Sequence, residues 1–230
     1  MRDVSPERVT AGLRAISNRE TFIPRRSAAW NDPVPARVPL PDGRGVDGQR
    51  IDAMIAEASS VDAGFEEHAR VVSALSLRVG HELQLAAGEL ELLEFAAAVH
   101  DVGKLCVAPS IITKPGPLDD EEWKEMRRHP DAGADLLASC AAPAEVLDVV
   151  RSHHEHWDGN GYPRRLKGDE IPLAARIISA ADAYCAMIEA RPYRPPRRPA
   201  AARAELLAQA GSQFDADCAR AAYRVTAAAG

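Results

Sequence analysis

The chain has 230 residues, 46% of them hydrophobic, and a formal net charge of -6; that is enough for one well-buried domain plus an extra segment and too little for two large domains. No run approaches the roughly 18 uninterrupted apolar residues that span a bilayer, and charges break up the N-terminal stretch where a signal-peptide core would lie, so a cytoplasmic protein without a membrane partner is expected. Residues 51–150 hold 7 Lys and Arg against 19 Asp and Glu, while residues 1–50 and 151–200 each hold 9 against 6; such a pairing suits a site for cations and then an anionic substrate, and the absence of a long basic run excludes duplex nucleic acid as the main ligand.

In chain order, Ser5 to Ser17 has the spacing of a short helix, and the Pro-, Gly- and Arg-rich stretch PRRSAAWNDPVPARVPLPDGRGVDG follows it. Residues 1–50 therefore read as a flexible or partly helical arm, and residues 51–230 as one domain. From there the apolar spacing is helical and period-two alternation is nearly absent, which predicts an all-α fold. Helices are expected over 49–59, 62–85, 88–102, 119–127, 131–140, 143–155, 171–190, 199–210 and 215–228. In the first of these, Ile51, Met54 and Ile55 form an apolar stripe that offers a face to a second subunit or a protein partner. Asp119 is a helix N-cap candidate ahead of EEWKEM. The segment WDGNGYPRRLKGDEIP, with Gly159, Gly161, Gly168 and two prolines, must be a shaped loop between helices, in which Gly159 and Gly161 permit backbone turns closed to other residues. The four cysteines, Cys106, Cys140, Cys185 and Cys218, include no CxxC pair, which fits a reducing compartment.

The chemistry concentrates in the histidines, of which there are seven. His100 and Asp101 close the apolar run LLEFAAAV, setting an imidazole and a carboxylate side by side, and the two oxygens of the Asp can bridge a pair of cations. His68 opens HARVV on the preceding helix, where Val72, Leu75 and Val79 fix that helix in the core. His129 ends EEWKEMRRHP, and His153 and His154 end EVLDVVRSHH. Asp182 lies in RIISAADAYCAM, on an apolar face where an unpaired carboxylate is costly to bury. An HD dipeptide alone is common; these seven residues together supply enough nitrogen and oxygen donors for a pair of divalent ions.

The order HARVV, HDVGK, HP, HHEHWDGNGYP, Asp182 and RPYR resembles the HD-GYP family of the HD phosphohydrolase superfamily over about residues 60–220. The resemblance implies an HD-type helical bundle with the HD-GYP C-terminal extension, and hydrolysis of cyclic di-GMP to pGpG and, in some members, on to GMP. It implies two or three divalent ions, iron or manganese, with His68, His100, Asp101, His129, His153, His154 and Asp182 as ligands and a hydroxide activated between two of the ions. Asp101 and Lys104 are then the catalytic residues, Lys104 being the phosphate-facing lysine. Tyr162 offers a flat face to a guanine, and Lys167, Arg191 and Arg194 are positioned by the resemblance for substrate, with Arg164 and Arg165 as further cations beside the loop.

Two positions depart from the pattern. Family members credited with three metals carry a Glu one helical turn before the first His, where this chain has Gly64, so two metals are expected. A second Asp often follows Asp182 by three residues, and here Cys185 stands there. Weakened protonation of the leaving group would slow turnover by about 10² to 10⁴-fold. Besides hydrolysis of cyclic di-GMP, the sequence leaves open an HD phosphohydrolase for another cyclic dinucleotide or nucleotide, and a catalytically impaired module that binds cyclic di-GMP or a partner protein.

Overall fold

The helical periodicity of the sequence sets the order of elements. The computed structural model describes residues 46–189 and 195–228; the helix expected at Ser5 to Ser17 and most of the arm lie outside the described residues. Those described form α1 (Gly48–Val61), α2 (Phe65–Glu82), α3 (Ala87–Val99), α4 (Pro109–Ile112), α5 (Asp120–Met126), α6 (His129–Ala138), α7 (Ala144–Ser152), α8 (Leu173–Ile188), α9 (Pro199–Ala208) and α10 (Ala216–Ala227), with 3-10 turns at Val102–Cys106 and Gly168–Glu170. Among the described residues no strand forms, and a single bridge pairs Ala210 with Phe214. The fold is all-α, as the periodicity predicts.

Each helix expected from residue 49 onward is present among the described residues, with ends shifted for local reasons. α2 starts at Phe65 because the Asp62 side chain accepts the Gly64 N–H at 3.0 Å and closes a turn. α3 stops at Val99, and the chain passes through His100 and Asp101 into a 3-10 turn. α6 begins at His129, two residues before the expected start, with Pro130 in its first turn where a missing N–H costs nothing. Asp119 caps α5, accepting from the N–H groups of Glu121 and Glu122 at 3.0 Å each, while the Glu122 carboxylate accepts the Asp119 N–H.

The core is built on α3, whose Leu93, Phe95, Ala96, Ala97 and Val99 are fully buried, and on α2, which contributes Val72, Leu75 and Val79 at one-face spacing. α8 adds Ile177, Ile178 and Ala181. Burying a large apolar side chain of this kind contributes about 1.5–3 kcal/mol, so these helices hold the polar cluster they carry in fixed relation. Ile51 and Met54 of α1 are buried within this chain and Ile55 is half-buried, so most of the stripe read as a subunit face is taken up by this chain's own core.

One contact could not be read from apolar spacing. The turn after Asp101 meets α6 backbone to backbone: a Cβ on Gly103 would lie 1.9 Å from the His129 carbonyl oxygen and 2.4 Å from the Gly133 nitrogen. Only glycine fits, and this approach brings Asp101 and His129 together.

Candidate metal centre

Three imidazoles of the cluster are oriented by backbone carbonyls. His100, the C-cap of α3, has Nδ1 2.7 Å from the Ala97 oxygen; His153, the C-cap of α7, has Nδ1 2.6 Å from the Val150 oxygen; and His129 has Nδ1 2.8 Å from the oxygen of Met126, the last residue of α5. Carbonyls in the last turn of a helix lack intrahelical donors. Each ring satisfies one by donating Nδ1–H, and its Nε2 is left with a lone pair facing inward.

Those lone pairs converge. Nε2 of His129 and Nε2 of His153 are 3.2 Å apart, and His129 Nε2 is 3.2 Å from Asp101 Oδ1. His100 Nε2 is buried with no hydrogen-bond partner among the described residues. Facing lone pairs beside a carboxylate, out of water, repel one another unless a cation sits between them. Asp101, His129, His153 and His154 can each present a ligand atom within 4.8 Å of the others, and so can His68, His100 and Asp101. Asp101 belongs to both groups, its Oδ1 toward His129 and its Oδ2 3.5 Å from His100 Nε2, the bridging position its sequence context suggested. His68 Nε2 is 3.0 Å from Asp182 Oδ1. The seven residues named as ligands from sequence thus meet in one place, and their donor set fits divalent transition metals.

Electrostatics divides the cluster. Burial holds His100 and His153 below the ordinary imidazole range and His154 down to about 3, with neighbouring imidazoles adding to the effect on His153 and His154. These rings stay neutral, as ligands must. Burial also opposes charge on His68, but its hydrogen bonds to Asp182 and Glu189 prevail and raise it to about 10. Asp101 is held well below the usual carboxylate range: burial works against ionisation, but Lys104, His100 and His129 outweigh it. Lys104 Nζ donates to Asp101 Oδ2 at 2.5 Å.

The loop from His153 to Pro172 forms the outer wall. Tyr162 stacks on His154 with ring centroids 4.9 Å apart, and the Arg127 guanidinium lies 5.6 Å from the Tyr162 ring and 5.8 Å from that of Trp123. A groove of about 420 Å³ opens here between Arg127, His156, Asn160, Tyr162 and Arg165. Lys167 is exposed and does not line it, the Arg164 side chain is engaged by Ser152 and Asp148, and Arg191 and Arg194 lie outside the described residues.

Sequence reasoning missed Arg127, Glu155 and Glu189. Glu155 is buried and accepts the N–H groups of Arg164 at 2.7 Å and Leu166 at 3.1 Å, holding the loop closed from within; its place inside HHE, beside a glycine-rich loop, was the available signal. Gly159 has φ +83°, the left-handed conformation expected of it. Gly161 is needed for room instead: a Cβ there would lie 2.2 Å from the His156 nitrogen. Gly64 caps α2, Glu66 is exposed and Glu67 pairs with Arg70, so neither neighbouring glutamate replaces the carboxylate absent at position 64. Cys185 is fully buried, and burial pushes its thiol well up.

The HD domain family matches residues 52–218 of the chain. The chain belongs to the HD domain family. Among relatives of this HD domain, the 3'3'-cGAMP-specific phosphodiesterase 2 of Vibrio cholerae is 37% identical over 163 residues, 69% of this chain and 31% of the relative. The cyclic di-GMP phosphodiesterase response regulator RpfG of Xanthomonas campestris is 39% identical over 166 residues, 71% of this chain and 44% of the relative. The chain therefore spans less than half the length of these curated relatives. In structure the HD domain is similar to Bd1817, a HDG"Y"P protein from Bdellovibrio bacteriovorus, with a TM-score of 0.60 at 18% identity over 76% of this chain and 59% of the other. The HD-GYP resemblance drawn from the motifs stands. No helix among the described residues is long and apolar enough to cross a membrane.

Proposed function

We propose that this HD domain is a metal-dependent phosphodiesterase that hydrolyses a cyclic dinucleotide, cyclic di-GMP first, to the linear pGpG and on to GMP. The observation that carries the reading is the convergence of imidazole Nε2 lone pairs on Asp101. Two divalent cations, iron or manganese, are taken to be held by His68, His100, Asp101, His129, His153, His154 and Asp182, and when bound they supply Lewis acidity toward a phosphodiester and acidify water. Asp101 belongs to both groups of potential ligands and keeps Lys104 at its Oδ2, from which the ammonium can turn to a phosphate oxygen or to the departing ribose oxygen and give it a proton. Tyr162 presents a ring to a nucleobase, and Arg127 and Arg165 present guanidinium groups to phosphates along the groove. Lys167, Arg191 and Arg194 are proposed as further phosphate contacts by family resemblance.

The hydrolase unit is proposed to be residues 51–230, with the arm of 1–50 before it, in the cytoplasm, where the four free thiols would stay reduced. The name of the Vibrio relative favours a second substrate reading, 3'3'-cGAMP. Protein reconstituted anaerobically with Fe(II) or Mn(II) and offered both cyclic dinucleotides separates the readings by its products. Turnover of either that is lost in Asp101→Ala supports the enzyme; bound metal with no turnover of any nucleotide would leave the impaired binding module in its place.

A further inference from the structure

His68 differs from the other oriented imidazoles in where it sits. His100, His129 and His153 follow the C-terminal ends of helices, where carbonyls need donors. His68 lies in the first turn of α2, where the groups left over are N–H donors and the carbonyls are engaged within the helix, so the backbone offers its ring nothing to hold Nδ1. The acceptor comes from another helix: Glu189, the C-cap of α8, has Oε1 2.9 Å from His68 Nδ1, while Asp182 Oδ1 is 3.0 Å from Nε2 on the opposite side. Asp182 and Glu189 are seven residues apart, two helical turns, and share the face of α8 that meets His68. Cys185 falls between them on that face and is fully buried.

We propose that Glu189 is the positioning residue for the His68 half of the metal centre: its carboxylate accepts Nδ1–H, fixes the ring plane and tautomer, and so commits Nε2 to the cation beside Asp182. The inference rests on the metal-centre reading. It makes Glu189 the substitute for the carbonyl anchors that the other three rings receive from their own backbone. Loss of such an outer partner weakens metal binding by about 10 to 100-fold.

The test is titration of the metal-free full chain with Mn(II), followed by calorimetry, for the native protein, Glu189→Ala and Glu189→Gln. The native chain is expected to take up two ions. Glu189→Ala should keep one at native affinity and bind the other about 10 to 100-fold more weakly, and Glu189→Gln, whose amide oxygen still accepts Nδ1–H, should recover most of the loss. Two native-affinity ions in Glu189→Ala would overturn the inference and leave the metal centre standing; no ion bound by the native chain would overturn both. A second measurement needs no variant: in the Zn(II)-loaded native protein, nitrogen NMR should find the His68 proton on Nδ1, and a proton on Nε2 would overturn the proposal.

Discussion

The two halves of the metal cluster are held by different means. Around Asp101, His129 and His153 are fixed by carbonyls at helix ends, and His100 likewise; His68 is fixed by a carboxylate from α8. A carbonyl anchor survives any side-chain change that leaves the helix end in place, so the orientation of those three rings depends on the backbone path. The His68 half depends on one side chain, and one substitution can detune it without disturbing the fold. Charge follows the same division: the carbonyl-anchored His100 and His153 are pushed toward neutrality by burial, and the carboxylate-anchored ring toward the cation.

The largest effect should come from the residue common to both halves. Asp101→Ala is expected to abolish turnover and the binding of both ions, measured by metal content after gel filtration; retained full activity would sink the site assignment. Gly103→Ala strikes at the approach of the Asp101 turn to α6. Its methyl has no room against the His129 carbonyl, so denaturant unfolding should show a loss of at least about 1–3 kcal/mol, the range for overpacking. An unchanged midpoint would mean that the turn and α6 can separate, and the carbonyl anchors would then be softer than described.

Acidity sharpens the comparison in the metal-free protein. His100, His153 and His154 have folded values below the ordinary 6.5, so the unfolded chain takes up their protons first; their contribution is full above pH 6.5 and falls as the pH drops below it, for His154 down to about 3. His68 works in the opposite sense: raised to about 10, it contributes fully below pH 6.5 and loses that contribution as the pH rises through 10. The cluster's stabilisation should peak near pH 6.5, and His68→Ala should remove the alkaline limb only, read from thermal midpoints across pH 5 to 10. A profile that keeps both limbs in that variant would contradict the division. The smallest effect is expected in the groove, where Arg127→Ala should raise KM several-fold with kcat little changed, the signature of lost binding common to ground and transition states.

Much of this was legible in the sequence because helical periodicity and histidine placement are local properties. Val72, Leu75 and Val79 announce α2, and the HD and HHE strings announce ring nitrogens at helix ends. The contribution of Glu189 was hidden, since nothing in the sequence says that the end of α8 passes the start of α2. Arg127 was hidden for the same reason: its contact with Tyr162 joins residues 35 positions apart. Gly161 was recognised as special but for the wrong reason, because a positive φ belongs to a residue's own backbone whereas a close approach belongs to its neighbours.

By itself the sequence determined the all-α class through helical spacing and, through the resemblance of its ordered motifs, the family and the seven residues that meet in the cluster. The tertiary structure alone decided that the inward nitrogens of His100, His129 and His153 meet, which carboxylate is shared, and what holds His68. The carbonyl that orients each of those three rings lies three residues back in the chain, whereas Asp101 and His129, or His68 with Asp182 and Glu189, come within hydrogen-bonding reach only when helices far apart in the chain have packed.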